Sequence, residues 1–331
     1  MKAENFARLL VLIVIVGSAL GVIAARLYNT GNTIELRGKM PEAGGWMPDV
    51  LHAQVGEPLH LRLTADDVVH GFGIGQSDHP EVDIEPGKMT DLTLTFDEPG
   101  TYTFYCTRWC GVNHWRMRGT IEVSGEGSGE PQETSQPLFV TLNIDIDAPH
   151  PAEAVPVTRP RLSDSLVKAG LEDRYLAQDY YYSRSPAQVY SELRADPTYQ
   201  SASDAEIWAL VANIWRTNKT EEGLIEGARL YAENCAACHG ETGAGDGVFA
   251  DIVQAQFGKP MHGMEHVSGK PTDFTDSHTM LGASPALLQG KIIRGGMGTG
   301  MPYWGSIFTE QQTWNLVAYL YSFQFDYQET E

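Results

Sequence analysis

All four cysteines of this chain fall in two short segments, and each is better assigned to a site than to a disulfide set. One segment reads Cys235-Ala-Ala-Cys238-His239. Two thiols spaced in this way, followed at once by a histidine, can form two thioethers to a haem c and supply its proximal ligand. The other segment reads Cys106-Thr-Arg-Trp-Cys110-Gly-Val-Asn-His114-Trp-Arg-Met117. It sets two thiols, an imidazole and a thioether at offsets 0, +4, +8 and +11. Thiolate, imidazole and a weak axial thioether are the donors that copper takes in electron transfer. A second imidazole has to come from a strand upstream, and His70 in Asp67-Val-Val-His70-Gly-Phe-Gly is the candidate. Two thiols four residues apart can bridge two copper ions. The same segment also admits a zinc site from Cys106, Cys110 and His114, or a buried disulfide, although neither uses Met117 or His70.

The rest of the chain divides by its patterning. Lys2 and Arg8 precede an apolar run of 17 residues from Leu9 to Ala25, which Arg26 closes. That length predicts a transmembrane anchor over residues 1–30 with the basic end inside, and Val22-Ile23-Ala24 offers signal cleavage as the alternative. From Trp46 to Val123 apolar and polar residues alternate in short runs: Leu59–Leu63, Leu92–Phe96, Thr101–Tyr105 and Gly119–Val123. Turn signals at Gly56-Glu-Pro, Glu85-Pro-Gly and Glu98-Pro-Gly separate them, so a β-sandwich is expected over residues 40–124. Residues 125–160 read as a linker, with a Gly/Ser/Glu/Pro-rich start, one further strand expected at Leu138–Ile146, and a Pro-rich end.

Residues 161–218 turn helical, with an amphipathic helix at Asp204–Trp215. Residues 219–325 form a last domain, with helices expected at Glu222–Asn234 and at Thr309–Phe323. The order Ser185-Pro-Ala then Ile207-to-Trp215 is echoed by Ser284-Pro-Ala then Thr313-to-Tyr321. The echo suggests that 161–218 is a haem-less remnant of a cytochrome-like half.

The first metal segment and its surroundings resemble the dinuclear CuA domain of the cytochrome c oxidase subunit II family. The resemblance rests on Val68-Val-His70-Gly-Phe-Gly-Ile, Val82-Asp-Ile-Glu-Pro-Gly, Pro99-Gly-Thr-Tyr, the Cys106-to-Met117 loop and Gly119-Thr-Ile-Glu-Val. It implies a cupredoxin fold in which Cys106 and Cys110 bridge two coppers. His70 and His114 would be terminal ligands, and Met117 and the backbone carbonyl of Arg108 weak ones. Many A-type oxidases carry Glu where this chain has Arg108, and they usually have two anchor helices. The resemblance is therefore closer to B-type oxidases or to CuA-bearing nitric oxide reductases. The region Glu222–Phe323 resembles class I cytochromes c, in which a Met preceding Pro binds the iron opposite the His. That pattern selects Met301 in Gly295-Gly-Met-Gly-Thr-Gly-Met301-Pro over Met297, Met261 and Met264.

The formal charge is −20, from 43 acidic and 23 basic residues. This excludes nucleic acid as a partner, because binding phosphates requires clustered Lys and Arg. It suits charge-steered docking of a basic redox partner. No nucleophile–base pair stands out, so no catalytic residue is assigned. His262 and His266, four apart, are set in Gly- and Pro-rich sequence that disfavours a helical metal site.

The expected architecture is multidomain: a single anchor helix, an all-β cupredoxin and an all-α class I cytochrome c. The expected function is the electron-input subunit of a haem-copper terminal oxidase. Electrons would pass from a donor, such as a soluble cytochrome or a quinol-oxidising complex, through haem c and CuA. They would reach a membrane-embedded, haem-bearing catalytic subunit that reduces dioxygen. The alternatives are the small subunit of a CuA-containing nitric oxide reductase and a free-standing membrane-anchored carrier. CxxCH haem attachment puts the soluble domains on the periplasmic or extracellular side of a bacterial cytoplasmic membrane.

Overall fold

The computed structural model describes residues 16–17, 33–111, 113–127, 136–162, 171–257, 269–296 and 299–327. The expected anchor lies outside the described residues except for Val16 and Gly17. No helix among the described residues is long and apolar enough to cross a membrane. The chain divides into two compact units, one of Met1–Gly73 with His79–Pro131, the other of Ile74–Asp78 with Gln132–Glu331.

The strands run β1 (Thr33–Gly38), β2 (Trp46–Met47), β3 (Val50–Gln54), β4 (Leu59–Ala65), β5 (His70–Ile74), β6 (Val82–Ile84), β7 (Thr90–Leu94), β8 (Gly100–Tyr105) and β9 (Arg118–Ser124). They form a four-stranded sheet in the order β2-β1-β4-β7 and a five-stranded sheet in the order β3-β9-β8-β5-β6. The period-two alternation read in the sequence sets the inner faces. Leu59, Leu61 and Leu63 of β4, Leu94 of β7, and Ile121 and Val123 of β9 are buried. Gly56 turns the chain from β3 to β4 with φ at +75°, a conformation that a side chain disfavours. Trp46, Phe72 and Phe104 fill the core as a mutually contacting trio with ring centroids 5.5–5.9 Å apart.

One strand was not expected. β1 precedes the anticipated domain start at residue 40 and pairs in parallel with β4, Leu36 lying opposite Leu63. Its alternation of Ile34 and Leu36 is too short to stand out beside the apolar N-terminal run.

The second unit is helical: α1 (Leu138–Thr141), α2 (Asp173–Leu176), α3 (Gln178–Ser183), α4 (Pro186–Ala195), α5 (Asp204–Thr217), α6 (Glu221–Asn234), α7 (Ala236–His239), α8 (Ala250–Phe257), α9 (Ser277–Met280), α10 (Pro285–Arg294) and α11 (Glu310–Leu320). The long helices start where side chains satisfy the free amides of a first turn. Ser203 and Thr309 accept from the amides of Glu206 and Gln312, whose side chains reach back in reciprocal capping boxes. Thr220 caps α6 through the amide of Gly223. The echoed Ser-Pro-Ala segments begin two helices of ten residues each, with Ser185 and Ser284 as N-caps at near-identical backbone angles.

The strand expected at Leu138–Ile146 does not form. Leu138–Thr141 is a helical turn that follows Pro137. Phe139 and Ile146 close on Gly290 of α10, where an added Cβ would come within 2.8 Å of Phe139 and 3.0 Å of Ile146. The apolar residues thus pack on a helix rather than on a sheet edge, and a short apolar run does not by itself distinguish the two.

α6 and α11 cross in close contact just before the Cys235–His239 segment. A Cβ on Gly227 would lie 2.2 Å from the Asn315 carbonyl oxygen and 2.9 Å from Tyr319 Cβ. One turn later Tyr231 packs on Tyr319 with centroids 5.3 Å apart. Replacing Gly227 with Ala should therefore destabilise the chain by about 1–3 kcal/mol despite the better helix propensity of Ala. Thermal unfolding followed at the haem absorbance and by far-ultraviolet circular dichroism would measure the loss.

Candidate metal and haem sites

The Cys106-to-Met117 segment is the hairpin connection between β8 and β9. Tyr105 pairs with Arg118, and the Cys106 amide donates to the Met117 carbonyl at 3.0 Å, closing the loop. Within it, His114–Arg116 form a single 3₁₀ turn that sends His114 inward. β5 lies beside β8 in the sheet and delivers His70 to the same point. Cys106, Cys110, His70, His114 and Met117 are all buried.

The two thiols lie 3.9 Å apart, far beyond the roughly 2.05 Å of a disulfide. Around them the donors separate into two ends. Cys106 Sγ is 3.7 Å from His70 Nδ1 and 3.1 Å from the Arg108 carbonyl oxygen. Cys110 Sγ is 3.6 Å from His114 Nδ1 and 3.8 Å from Met117 Sδ. Each end therefore has one imidazole and one weak donor, and the thiols stand between them. His70, Cys106 and Cys110 have donor atoms close enough together to hold a metal ion. The hydrogen bond shared with Cys110, helped by the His114 and His70 imidazoles, pulls the Cys106 thiol down against the effect of burial. The same shared hydrogen bond, together with burial, pushes Cys110 up. The pocket thus favours a thiolate, the form that binds metal.

Sequence reading missed the groups behind these donors. His70 Nε2 is 2.8 Å from Asp67 Oδ1. A carboxylate only accepts, so Nε2 carries a proton and Nδ1 is the nitrogen turned towards Cys106. Asp67 is itself fixed by the amides of Met40 and Val68, each at 2.7 Å. Partial burial would raise the Asp67 pKa, but the Met40 amide, the His70 imidazole and the Val68 amide outweigh it and hold the carboxyl below its ordinary range. Burial likewise pulls His70 down, and its contacts with Cys106 and Asp67 raise it on balance. Asp67 stands three residues before His70, which was the available signal. Trp46 Nε1 donates to the Met117 carbonyl at 3.1 Å, tying the aromatic core to the loop. Gly38 of β1 forms a wall of the site, since a Cβ there would reach Met117 Cε at 3.0 Å and His70 Cδ2 at 3.3 Å.

In the second unit Cys235 ends α6 and Cys238-His239 end α7, so one bend in the chain presents both thiols and the imidazole. His239 Nδ1 is 3.0 Å from the Thr272 carbonyl oxygen. A carbonyl only accepts, so Nδ1 is protonated and Nε2 keeps the lone pair that an iron would need. Phe274 stacks on the imidazole at 4.5 Å and fixes its plane. Tyr231, Phe274 and Phe323 extend this into an aromatic wall. Both thiols are unpaired with each other and half-buried. This arrangement fits a covalently attached haem.

Met301 lies in a loop folded back on the end of α10. The Gly296 amide donates to the Met301 carbonyl at 3.2 Å, and Gly295, with φ at +71°, leaves no room for a Cβ beside the Pro302 carbonyl. Met297, Met261, Met264, His262 and His266 lie outside the described residues.

Residues 49–124 match the family of the cytochrome c oxidase subunit II periplasmic domain, and residues 224–324 match the cytochrome c family. The chain joins a subunit II periplasmic domain to a cytochrome c domain. Cytochrome c oxidase subunit 2 of Thermus thermophilus is 33% identical over 81 residues, which are 24% of this chain and 59% of the relative. Its counterpart from Synechocystis sp. is 29% identical over 116 residues, 35% of this chain and 31% of the relative. The chain therefore spans three fifths or less of the length of these curated relatives. A solved chain from a haem-copper terminal oxidase dimer aligns over 37% of this chain and 100% of its own length at 25% identity. Its TM-score of 0.25 is too low to speak for the architecture. The subunit II match contains the Cys106-to-Met117 loop, and the cytochrome c match contains the Cys235–His239 segment.

Replacing Cys106 or Cys110 with Ser should abolish a mixed-valence dinuclear copper EPR pattern and leave the haem absorption intact. Replacing Asp67 with Asn should lower copper affinity by about 10-fold, because the imidazole loses its orienting acceptor. Chelator competition measures it. Replacing Met301 with Ala should lower the haem midpoint potential in a redox titration.

Proposed function

We propose that this chain is the electron-input subunit of a haem-copper terminal oxidase. The observation that carries the reading is the buried two-ended cluster of Cys106, Cys110, His70, His114, Met117 and the Arg108 carbonyl. Those residues would hold a pair of copper ions, for which thiolate, imidazole and weak thioether or carbonyl donors are suited. Cys235, Cys238, His239 and Met301 would hold haem c. When bound, the copper pair and the haem supply one-electron transfer.

The chain's own residues hold the donors in place. The aromatic trio packs under the copper loop, and its Trp46 donates to the Met117 carbonyl. Asp67 and the Thr272 carbonyl hold the imidazoles in one tautomer and orientation. Such rigidity keeps the donor positions alike in both oxidation states. The chain would take electrons from a soluble cytochrome or a quinol-oxidising complex. It would deliver them to a separate membrane-embedded, haem-bearing subunit that reduces dioxygen. The N-terminal apolar run would anchor it in the cytoplasmic membrane with its domains on the periplasmic side.

We read residues 161–218 as a haem-less counterpart of the α10–α11 pair. The support is the matched Ser185 and Ser284 caps and the reciprocal capping boxes at Ser203 and Thr309.

Purification of the native complex tests the function. Co-isolation of a large multi-helix haem subunit with oxygen uptake on adding reduced donor is expected. Nitric oxide consumption without oxygen uptake would move the chain to a reductase, and recovery without any large subunit would make it a free carrier.

A further inference from the structure

Arg108 stands at the middle of the Cys106–Cys110 loop and contributes its backbone carbonyl to the cluster. Its side chain points elsewhere. Nε donates to Asp83 Oδ1 at 2.7 Å and an η-nitrogen donates to Asp83 Oδ2 at 3.1 Å, a two-pronged pair. Asp83 belongs to β6, where it pairs with Gly71, and the neighbouring pair is His70 with Ile84. The loop is also held from below, because it crosses Gly71 without clearance. The Thr107 amide donates to the Gly71 carbonyl at 3.4 Å. A Cβ on Gly71 would lie 2.0 Å from Thr107 Oγ1 and 3.1 Å from Arg108 Cγ.

The peptide that aims the carbonyl is therefore pinned at two points. One is the backbone of the strand carrying His70, and the other is the carboxylate on that strand's neighbour. We infer that the Arg108–Asp83 pair is a clasp that positions the Arg108 carbonyl as the weak donor at the Cys106 end of the copper site.

The inference rests on the copper reading above and adds a role to it. Thiolates and imidazoles bind strongly enough for the metal to help align them. A carbonyl oxygen binds weakly, so its distance from the metal is set by the protein around it. A guanidinium fork on a carboxylate fixes direction as well as distance, which a lysine ammonium does not. Both side chains are more than half exposed, at 59% and 52%, so the pair contributes little to overall stability. Its effect should appear at the site and not in the melting temperature.

The test uses the full chain loaded with copper and haem, in wild-type form and as Arg108→Gln, Arg108→Lys, Asp83→Asn and the double variant Arg108→Gln/Asp83→Asn. The clasp predicts that all variants load copper. Each single variant should shift the copper midpoint potential and the copper hyperfine splitting in the same direction, and the haem potential should stay constant. The double variant should add nothing to either single one, because the two groups act through one contact.

Wild-type values in both Arg108→Gln and Asp83→Asn would overturn the clasp, and so would shifts that sum in the double variant. If Arg108→Lys keeps wild-type values, charge alone suffices and the fork has no positioning role. For a variant that fails to load, amide exchange at Thr107 in the metal-free chain gives a second readout. Exchange faster than wild type at Thr107, with unchanged exchange along β8 and β9, is expected, and unchanged exchange at Thr107 overturns the proposal. Absence of a dinuclear copper signal in the loaded wild-type chain would instead defeat the copper reading itself.

Discussion

Everything at the copper-type site depends on a hairpin loop held shut against a neighbouring strand. The Cys106 amide and the Met117 carbonyl close the loop, and β5 runs beside β8 to bring His70 under it. Without that closure the two thiols would be ordinary buried cysteines, which resist ionisation. With it they stand 3.9 Å apart among imidazoles that favour a thiolate. The aromatic trio of Trp46, Phe72 and Phe104 serves the same end from below, since the Trp46 indole also donates to the Met117 carbonyl. Core packing and site geometry are thus one structure in this unit.

The haem-type site uses a different device for the same purpose. Its donors come from the end of one helix and the bend after it, and the helix is seated by a glycine contact on α11. In both units the donor imidazole is oriented through its second nitrogen, by Asp67 in one and by the Thr272 carbonyl in the other. An imidazole fixed in this way presents the same nitrogen in both oxidation states of a bound centre, which suits one-electron transfer.

Legibility followed chain distance. The four donors between Cys106 and Met117 and the Cys235–His239 motif are contiguous, so covalent spacing alone groups them. The helices expected from Asp204, Glu222 and Thr309 start within one residue of those positions, because periodicity and capping are decided locally. The alternation of β4 placed its leucines correctly for the same reason. Leu138–Ile146 misled, because a short alternating apolar run suits a strand edge or a helical turn, and Gly290 on a distant helix decided between them. β1 was missed because six residues next to a long apolar run carry little signal of their own.

The sequence by itself determined which donor atoms the chain owns, that they form two sets, and the local elements that carry most of them. It also offered His70, from its segment upstream and from the family resemblance. Only the tertiary structure brought His70 to Cys106, set Asp67 behind it, placed Gly38 against Met117 and joined Arg108 to Asp83. Those relations depend on which strands lie side by side and in what register. Register is settled by burying the whole inner face of the sandwich at once, so no local stretch of sequence specifies it.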